Sequence, residues 1–396
     1  MKDERRELFV RRFHGPPTHL VHAPGRVNLI GEHVDYAGFP VLPMAIDRGV
    51  TLLVRARDDE RVTIASADVE RGERDFTVSG AIEPFTAGDW GNYAKAALLG
   101  LVRARHWPRG FDAVLTSDLP AAAGLSSSSA LVVAAALAGL PDAAETPVGR
   151  LELARLLADA EQYVGARGGG MDQAAILCGR QGCALHIRFA PLRVRAVRLP
   201  ADWRFVVAHS LEEAPKSAGA RDAYNARRAA VERGFSALAG PAAHVDSPAD
   251  LARSRGIEEL LAEGEARLPP EAARRVRHVL TEQRRVAEAV PAMEAGDAAT
   301  FGRLMLASHA SLRDDFDVST PALDGLVEAS MASGALGARL TGAGLGGCVV
   351  ALVPRDREAD LLAGLAEAFY APRGVSPTAR MLFVARSSGG ARVTRL

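Results

Sequence analysis

The sequence predicts a mixed α/β or α+β protein of about two domains, on three observations. A chain of 396 residues is long enough for about two domains of ~150 residues each. Short segments rich in Val, Ile and Leu alternate with segments whose apolar residues recur at helical spacing, which argues against a helix bundle. The pattern restarts after Pro191 and Pro200, which places a domain boundary near residues 190–200.

The first half of the chain carries both kinds of segment. Strands are predicted over 50–56, 61–65, 111–116 and 183–189. Residues 58–60, between the first two strands, are expected to form a hairpin loop. Helices are predicted over 92–105, 127–138 and 148–162.

The second half begins with a predicted strand over 203–209. Amphipathic helices follow over 222–239 and 270–289. A further helix over 320–333 should begin at Thr320 as its N-cap, with Pro321 in the first turn. Two strands, 348–353 and 381–385, complete the pattern.

Composition excludes several classes of function. The 48 basic and 48 acidic side chains balance, so neither a nucleic-acid footprint nor a basic membrane patch is expected. Cys178, Cys183 and Cys348 are too few and too badly spaced for a disulfide framework or a zinc site, which favours reduced thiols in the cytoplasm. The N-terminus is charged and unlike a signal peptide, and the longest apolar run, 130–140, is too short to span a bilayer.

The most informative stretch is 23–36, which reads Ala-Pro-Gly-Arg-Val-Asn-Leu-Ile-Gly-Glu-His-Val-Asp-Tyr. Its apolar core lies beside four ionisable residues, Arg26, Glu32, His33 and Asp35. Burying that core also takes the neighbouring ionisable groups out of water, which costs free energy unless each of them meets a partner. The stretch therefore predicts a pocket wall that binds a hydroxyl-rich ligand, with an ordinary charged surface loop as the alternative.

A second candidate site is the serine loop, residues 119–130, which follows a strand and precedes an Ala-rich helix. Small residues let backbone N–H groups crowd around an anion, and a helix N-terminus adds a favourable dipole. The alternative is a Ser-rich N-cap. Neither the phosphate loop that needs a lysine after its second glycine nor a G-x-G-x-x-G dinucleotide motif is present.

Two further glycine-rich segments complete the candidates. Residues 341–348, the late glycine loop, lead directly into a predicted strand. Three glycines, 168–170, precede Asp172, a candidate general base, and should allow substrate to approach the backbone closely. Glu161 upstream is a candidate Mg²⁺ ligand. A turn or N-cap role is the default for an isolated Asp after glycines, so Asp172 gains weight from the other motifs.

Together, the 25–36 stretch, the serine loop and the late glycine loop resemble the three signature motifs of the GHMP small-molecule kinases. The first is similar to the galactokinase signature in particular. Further matching segments follow in the same order, at 90–95, 170–173, 224–228 and 308–314. The resemblance implies the two-domain GHMP kinase fold, with mixed sheets and helices. The domains are expected at 1–195 and 196–396, with the active site in the cleft between them.

The resemblance also implies roles at matching positions. Asp172 would be the catalytic base or the carboxylate facing the sugar C1 hydroxyl, and Arg26 would stabilise its charge and that of the phosphoryl group. The sugar contacts would be Glu32, His33, Asp35, Gly169 and Tyr224. The ATP phosphates would be wrapped by Gly124, Leu125, Ser126, Ser127, Ser128 and Ser129. Mg²⁺ would be held by Ser128 and Glu161, although the family glutamate aligns with Ala160 and Glu161 is the nearest carboxylate.

The implied activity is ATP-dependent phosphorylation of galactose at its anomeric C1 hydroxyl, giving galactose 1-phosphate and ADP. The expected partners are sugar, ATP and Mg²⁺, with no nucleic acid or membrane, and a cytoplasmic monomer is expected. Two alternatives stay open: a kinase for N-acetylgalactosamine or another monosaccharide, with a small Ala37 leaving room at C2, and a catalytically silent sugar sensor. A mevalonate-like alcohol would leave the polar cluster unpaired.

Overall fold

The computed structural model describes residues 2–120, 123–140, 149–165, 168–212, 218–240 and 247–396. Twelve strands are found in these ranges: β1 (His19–Asn28), β2 (Pro43–Ala56), β3 (Arg61–Ser66), β4 (Glu73–Thr77), β5 (Phe111–Ser117), β6 (Cys183–Phe189), β7 (Leu192–Arg198), β8 (Trp203–His209), β9 (Gly337–Thr341), β10 (Cys348–Pro354), β11 (Leu382–Ala385) and β12 (Arg392–Arg395).

Twelve α-helices are found in the same ranges: α1 (Lys2–Phe13), α2 (Gly91–Arg103), α3 (Ser127–Gly139), α4 (Arg150–Ala160), α5 (Met171–Cys178), α6 (Ala218–Ala239), α7 (Pro248–Arg255), α8 (Ile257–Arg267), α9 (Pro270–Ala295), α10 (Ala298–Asp314), α11 (Pro321–Ala332) and α12 (Glu358–Leu365). Helix α11 begins as predicted, because the Thr320 side chain accepts a hydrogen bond from the Leu323 N–H. The predicted helix over 148–162 starts at a residue outside the described ranges. None of the helices described is both long and apolar enough to cross a membrane.

The strands form two main sheets. The first has the order β12-β1-β2-β5-β3-β4, and the second has the order β11-β8-β10-β9. A separate hairpin joins β6 and β7. Helices α3 and α5 pack on β1 and β2, and α10 and α11 pack on the second sheet. This arrangement agrees with the mixed α/β prediction.

The predicted hairpin at residues 58–60 is wrong. Strand β5 lies between β2 and β3, antiparallel to β2 and parallel to β3. Gly110, just before β5, packs against this loop: its N–H donates to the Asp59 carbonyl at 2.9 Å, and a Cβ there would lie 2.3 Å from the Arg61 carbonyl oxygen. The loop therefore packs around the start of β5 instead of pairing its neighbours.

The predicted division into 1–195 and 196–396 stays a prediction. The last strand, β12, does not follow this division, because it joins the first sheet beside β1, with Val393 opposite Val21. One buried apolar cluster includes residues of both sheets, from Val21 in β1 to Ala385 in β11. The two sheets therefore share one apolar core.

Candidate active site

A cavity of about 270 Å³ opens where the loop after β1 meets α3, α5, α6 and the late glycine loop. Most of the predicted site residues lie in its wall: Arg26, Glu32, His33, Asp35, Ser128, Ser129, Glu161, Asp172 and Tyr224. Other lining residues lie in the predicted segments but were not named individually: Gln173, Arg227, Ala343 and Leu345. Val318 lies outside all of the predicted segments. Segments far apart in sequence therefore converge on one pocket.

The Asp172 carboxylate is held on both oxygens. Arg26 Nε donates to its Oδ1 at 2.7 Å, and Ser126 Oγ donates to its Oδ2 at 2.6 Å. Asp172 lies in the first turn of α5, which begins after Gly170 at φ +98°. Arg26 is buried next to a bulge in β1, and its guanidinium also donates to the Gly124 carbonyl. The carboxylate thus faces the cavity in a fixed orientation.

The serine loop differs from both sequence-based interpretations at Ser126. Ser126 is the N-cap of α3, at φ +57°, but its side chain makes no capping bond. The hydroxyl points to Asp172 instead. The Gly124 and Leu125 carbonyls accept from the Arg26 side chain and backbone N–H. The next two serines remain directed toward open space, since Ser127 and Ser128 line a second cavity.

The second cavity, of about 490 Å³, runs from the start of α3 along the face of the first sheet. Its wall includes Trp90, Tyr93, Arg71 and Thr51. Ser128 lines this cavity and the first one alike. The N-terminus of α3, with its free N–H groups and positive dipole end, therefore lies at the junction of the two cavities.

The late glycine loop closes directly on the serine loop. A Cβ at Gly124 would lie 2.5 Å from the Thr341 carbonyl oxygen, and one at Gly342, which has φ +85°, would lie 2.6 Å from the Gly124 Cα. Only glycine permits such backbone contact. The two loops therefore pack against each other, and both line the first cavity; that they close one functional site stays a prediction.

The Glu32 side chain is tied to the protein on both oxygens. Oε2 accepts from Arg339 and from Asn28 at 2.9 Å each, and Oε1 accepts from the Gly342 N–H at 2.9 Å. Burial raises the pKa of the Glu32 carboxyl, while the Arg339 and Arg26 guanidinium groups oppose that shift. Glu32 therefore links the loop after β1 to the late glycine loop.

His33 lies in the cavity wall at φ +57°. Its Nε2 is 3.1 Å from the Ala343 carbonyl oxygen, which can only accept, so Nε2 carries the proton. The ring packs against Phe316 and Tyr224, with centroids 4.5 and 5.5 Å away. Burial lowers the pKa of His33 to about 3, so the imidazole is neutral at physiological pH and Nδ1 is an acceptor.

Gly169 does not leave room for substrate as the sequence had suggested. A Cβ there would lie 2.3 Å from the carbonyl carbon of Asp35 and from the Tyr36 nitrogen, so protein backbone fills that space. The Gly169 N–H donates to Asp35 Oδ2 at 3.0 Å. Burial raises the pKa of Asp35, and the nearby Asp172 charge adds to the rise. Gly169 thus holds Asp35, which lines the cavity.

The residues suggested for Mg²⁺ fit such an ion in part. Glu161 is buried, its Oε1 has no partner among the described residues, and Ser129 and Gln173 lie beside the carboxylate. Burial raises the pKa of Glu161 to about 7. In the described ranges, no group of three or more His, Cys, Asp or Glu side chains is arranged around a metal. One carboxylate with a serine and phosphate oxygens is a typical Mg²⁺ set.

Sequence reasoning missed Arg339, which is fully buried in β9 and neutralises Glu32. The only signal was an arginine inside a short apolar segment next to the late glycine loop. Ala37, suggested as a determinant of sugar choice, is buried in the core and does not line the cavity. Its small side chain therefore opens no space beside a bound sugar.

Family models match three parts of the chain. The galactokinase galactose-binding signature matches residues 7–56, and the GHMP kinase N-terminal and C-terminal domains match residues 92–180 and 289–371. A galactokinase of Roseiflexus sp. (strain RS-1) is 40% identical over 389 residues, which cover 98% of this chain and 96% of the relative.

Solved structures agree with these matches. The crystal structure of Lactococcus lactis galactokinase complexed with galactose superposes with a TM-score of 0.89 at 31% identity, covering 100% of both chains. Methanococcus jannaschii mevalonate kinase superposes with a TM-score of 0.64 at 19% identity, over 93% of this chain and 98% of the other. The second similarity shows a shared fold alone.

Proposed function

Because this chain belongs to the galactokinase family of GHMP kinases, we propose that it transfers the γ-phosphoryl group of ATP to the C1 hydroxyl of galactose. The products are galactose 1-phosphate and ADP. The observation that carries the proposal is the Asp172 carboxylate, fixed by Arg26 and Ser126 in the wall of a cavity that the galactokinase signature also lines.

The sugar occupies the first cavity. Asp35 and the neutral His33 present acceptors to its hydroxyl groups, and Tyr224 adds a phenol whose pKa is raised by burial. Glu32 contributes as part of the cavity wall, since both of its side-chain oxygens already accept hydrogen bonds from the protein. Gly169 acts by holding Asp35. Polar groups fixed before binding discriminate strongly between hydroxyl-bearing ligands.

ATP occupies the second cavity, and its phosphates extend over the N-terminus of α3. Ser127 and Ser128 face that cavity, and Ser128 and Ser129 also face the sugar. The backbone of Gly124 and Leu125 shapes the loop, whereas the Ser126 hydroxyl serves Asp172. Orphan N–H groups at a helix start are suited to phosphate oxygens. The γ-phosphoryl group then lies beside Ser128, where the cavities meet.

Glu161 and Ser128 would hold Mg²⁺ together with phosphate oxygens. When bound, the ion neutralises charge on the β- and γ-phosphates. Glu161 suits this task because its buried Oε1 has no hydrogen-bond partner in the part of the chain that the structure describes. A cation beside the carboxylate would favour its ionised form.

Phosphoryl transfer has a loose transition state, so positioning and charge stabilisation dominate. Asp172 orients the C1 hydroxyl and accepts its proton as the oxygen–phosphorus bond forms and the bond to ADP breaks. Arg26 keeps Asp172 in place and stabilises charge on the transferred group. We also retain a cytoplasmic monomer as a proposal.

The proposed function is tested by measuring ADP formation from ATP in the presence of Mg²⁺ and each sugar of a panel. We expect turnover with galactose to exceed turnover with N-acetylgalactosamine, glucose and mevalonate. Higher turnover with N-acetylgalactosamine would favour the alternative sugar kinase, although buried Ala37 provides no space for it. Sugar-dependent thermal stabilisation, with no ADP formed from ATP in the presence of any sugar, would indicate a sensor and refute the kinase.

A further inference from the structure

A fully buried glutamate on α9 reaches the back of the loop after β1. Glu282 Oε1 accepts hydrogen bonds from the Gly31 N–H at 2.9 Å, the Glu32 N–H at 3.3 Å and Ser308 Oγ at 2.6 Å. Its Oε2 accepts from Arg285 Nε at 2.6 Å. Glu282 does not line either cavity. Its carboxylate is therefore satisfied by protein donors, two of which belong to the backbone of the sugar-site loop.

The loop is shaped to receive that anion. Gly31 has φ +98°, and a Cβ there would lie 2.9 Å from the Val41 Cα. The turn at this glycine brings two successive N–H groups to one oxygen, an arrangement that binds anions. Burial alone would raise the pKa of Glu282, but Arg285 and His278 lower it to about 2. The group is thus ionised whenever the protein is folded near neutral pH.

His278 lies one helical turn before Glu282, on the same face of α9. Its Nε2 is 3.0 Å from the Glu32 carbonyl oxygen, so Nε2 carries the proton, and Nδ1 faces Ser311 Oγ at 3.0 Å. The His278 ring also packs on Phe316, 4.7 Å away between centroids, and Phe316 packs on His33. Helix α9 therefore holds the N–H and the C=O of Glu32 and supports the ring of its neighbour.

We infer that Glu282 and His278 are positioning residues that fix Glu32 and His33 for sugar binding from outside the cavity. The inference rests on the proposed function, in which this loop binds galactose. A loop that is fixed before binding loses less conformational entropy when the sugar binds. The effect should appear in galactose affinity, because neither residue contacts the nucleotide cavity or Asp172.

Glu282→Gln tests this, since it keeps the shape but removes the charge and presents N–H donors to a site that contains donors. Isothermal calorimetry should show galactose Kd weakened about tenfold, equivalent to ~1.4 kcal/mol. The kcat at saturating galactose and the KM for ATP should stay within about twofold of wild type. If Glu282→Gln does not fold, Glu282→Asp carries the same test, because it withdraws the carboxylate by one methylene.

Leu280→Ala is the matched control. Leu280 is buried on α9 but on the opposite side from Glu282 and His278. The control should lower Tm while keeping wild-type galactose Kd. An unchanged galactose Kd in Glu282→Gln, or an equal weakening in Leu280→Ala at equal loss of Tm, would overturn the inference alone. A wild-type protein that does not bind galactose would overturn the proposed function together with it.

Discussion

Replacing Ser126 by alanine separates two roles that this residue could have. If Ser126 bound a phosphate of ATP, its replacement would weaken ATP binding. The Ser126 Oγ hydroxyl instead donates to Asp172 Oδ2 at 2.6 Å, so its loss affects the carboxylate that faces the sugar. Without the hydroxyl, the bond from Arg26 is the one that Asp172 keeps among the described residues, and the carboxylate gains rotational freedom. We therefore expect Ser126→Ala to lower kcat.

The structure sets the size of the effect. A hydrogen bond to a charged group contributes about 1.5–3 kcal/mol. The Asp172 side chain is 26% exposed, which places it at the lower end. About 1.5 kcal/mol corresponds to a roughly tenfold fall in kcat. Steady-state rates with galactose and ATP varied independently should show this fall, with the KM for ATP within about twofold of wild type.

Two further variants make the test decisive. Ser127→Ala, the neighbouring serine that lines the second cavity, should raise the KM for ATP and leave kcat almost unchanged. Ser126→Gly should lose kcat as much as alanine does, yet be more stable by ~1 kcal/mol, because φ +57° favours glycine. A tenfold rise in the KM for ATP with normal kcat in Ser126→Ala would refute the reasoning.

Three other predictions address the sugar loop, the metal and acid stability. Gly169→Ala should weaken galactose Kd at least about tenfold in calorimetry, whereas Gly149→Ala, whose Cβ meets nothing within 4 Å and which lines neither cavity, should bind normally; equal affinities would contradict the packing described. Protons compete with Mg²⁺ for Glu161, whose pKa is raised to about 7 by burial. The Mg²⁺ concentration that gives the half-maximal rate should therefore fall as the pH is raised from about 6 to about 8. Glu161→Gln should abolish that dependence, and its persistence would exclude Glu161 as a ligand. Burial lowers the pKa of His278 to about 4, so unfolding takes up a proton and the free energy of unfolding falls by ~1.4 kcal/mol per pH unit between about pH 6.5 and 4. Urea titrations of His278→Asn at a series of pH values should show a dependence of the unfolding free energy on pH that is smaller by that amount. An unchanged dependence on pH would refute this role of His278.

The elements that the sequence predicted well are those with strong local patterns. Helices α2 and α3 and strand β10 begin within one residue of their predicted starts. Strand β1 was not predicted, because its residues include His22, Pro24 and Arg26 and do not alternate simply. Its pairing with β2 and β12 supplies what local pattern lacks.

Strand order could not be predicted because it depends on contacts between distant segments. The hairpin expected at residues 58–60 was plausible locally, but β5 enters between its two strands from some fifty positions later in the chain. Short connections favour neighbouring strands only as a tendency. Here the pairing of β5 with both β2 and β3 replaces the expected hairpin.

The candidate site divides in the same way. The motifs identified the residues that line the cavity, since carboxylates and imidazole beside glycines have few other uses. They also identified Arg26, which holds Asp172, but they did not identify the groups that hold Glu32. Arg339 and Glu282 lie about 310 and 250 positions from Glu32, within a strand and a helix and outside the matched motifs. Only the folded chain brings them to the loop.

The site of phosphorylation on the sugar tests the central claim most directly. Galactose, ATP and Mg²⁺ incubated with wild-type protein should give a product whose phosphorus couples to the anomeric proton in two-dimensional ³¹P–¹H NMR. Asp172→Asn should bind galactose but form little of that product in the same time. Phosphorus coupled to another sugar proton, or normal turnover by Asp172→Asn, would contradict the account.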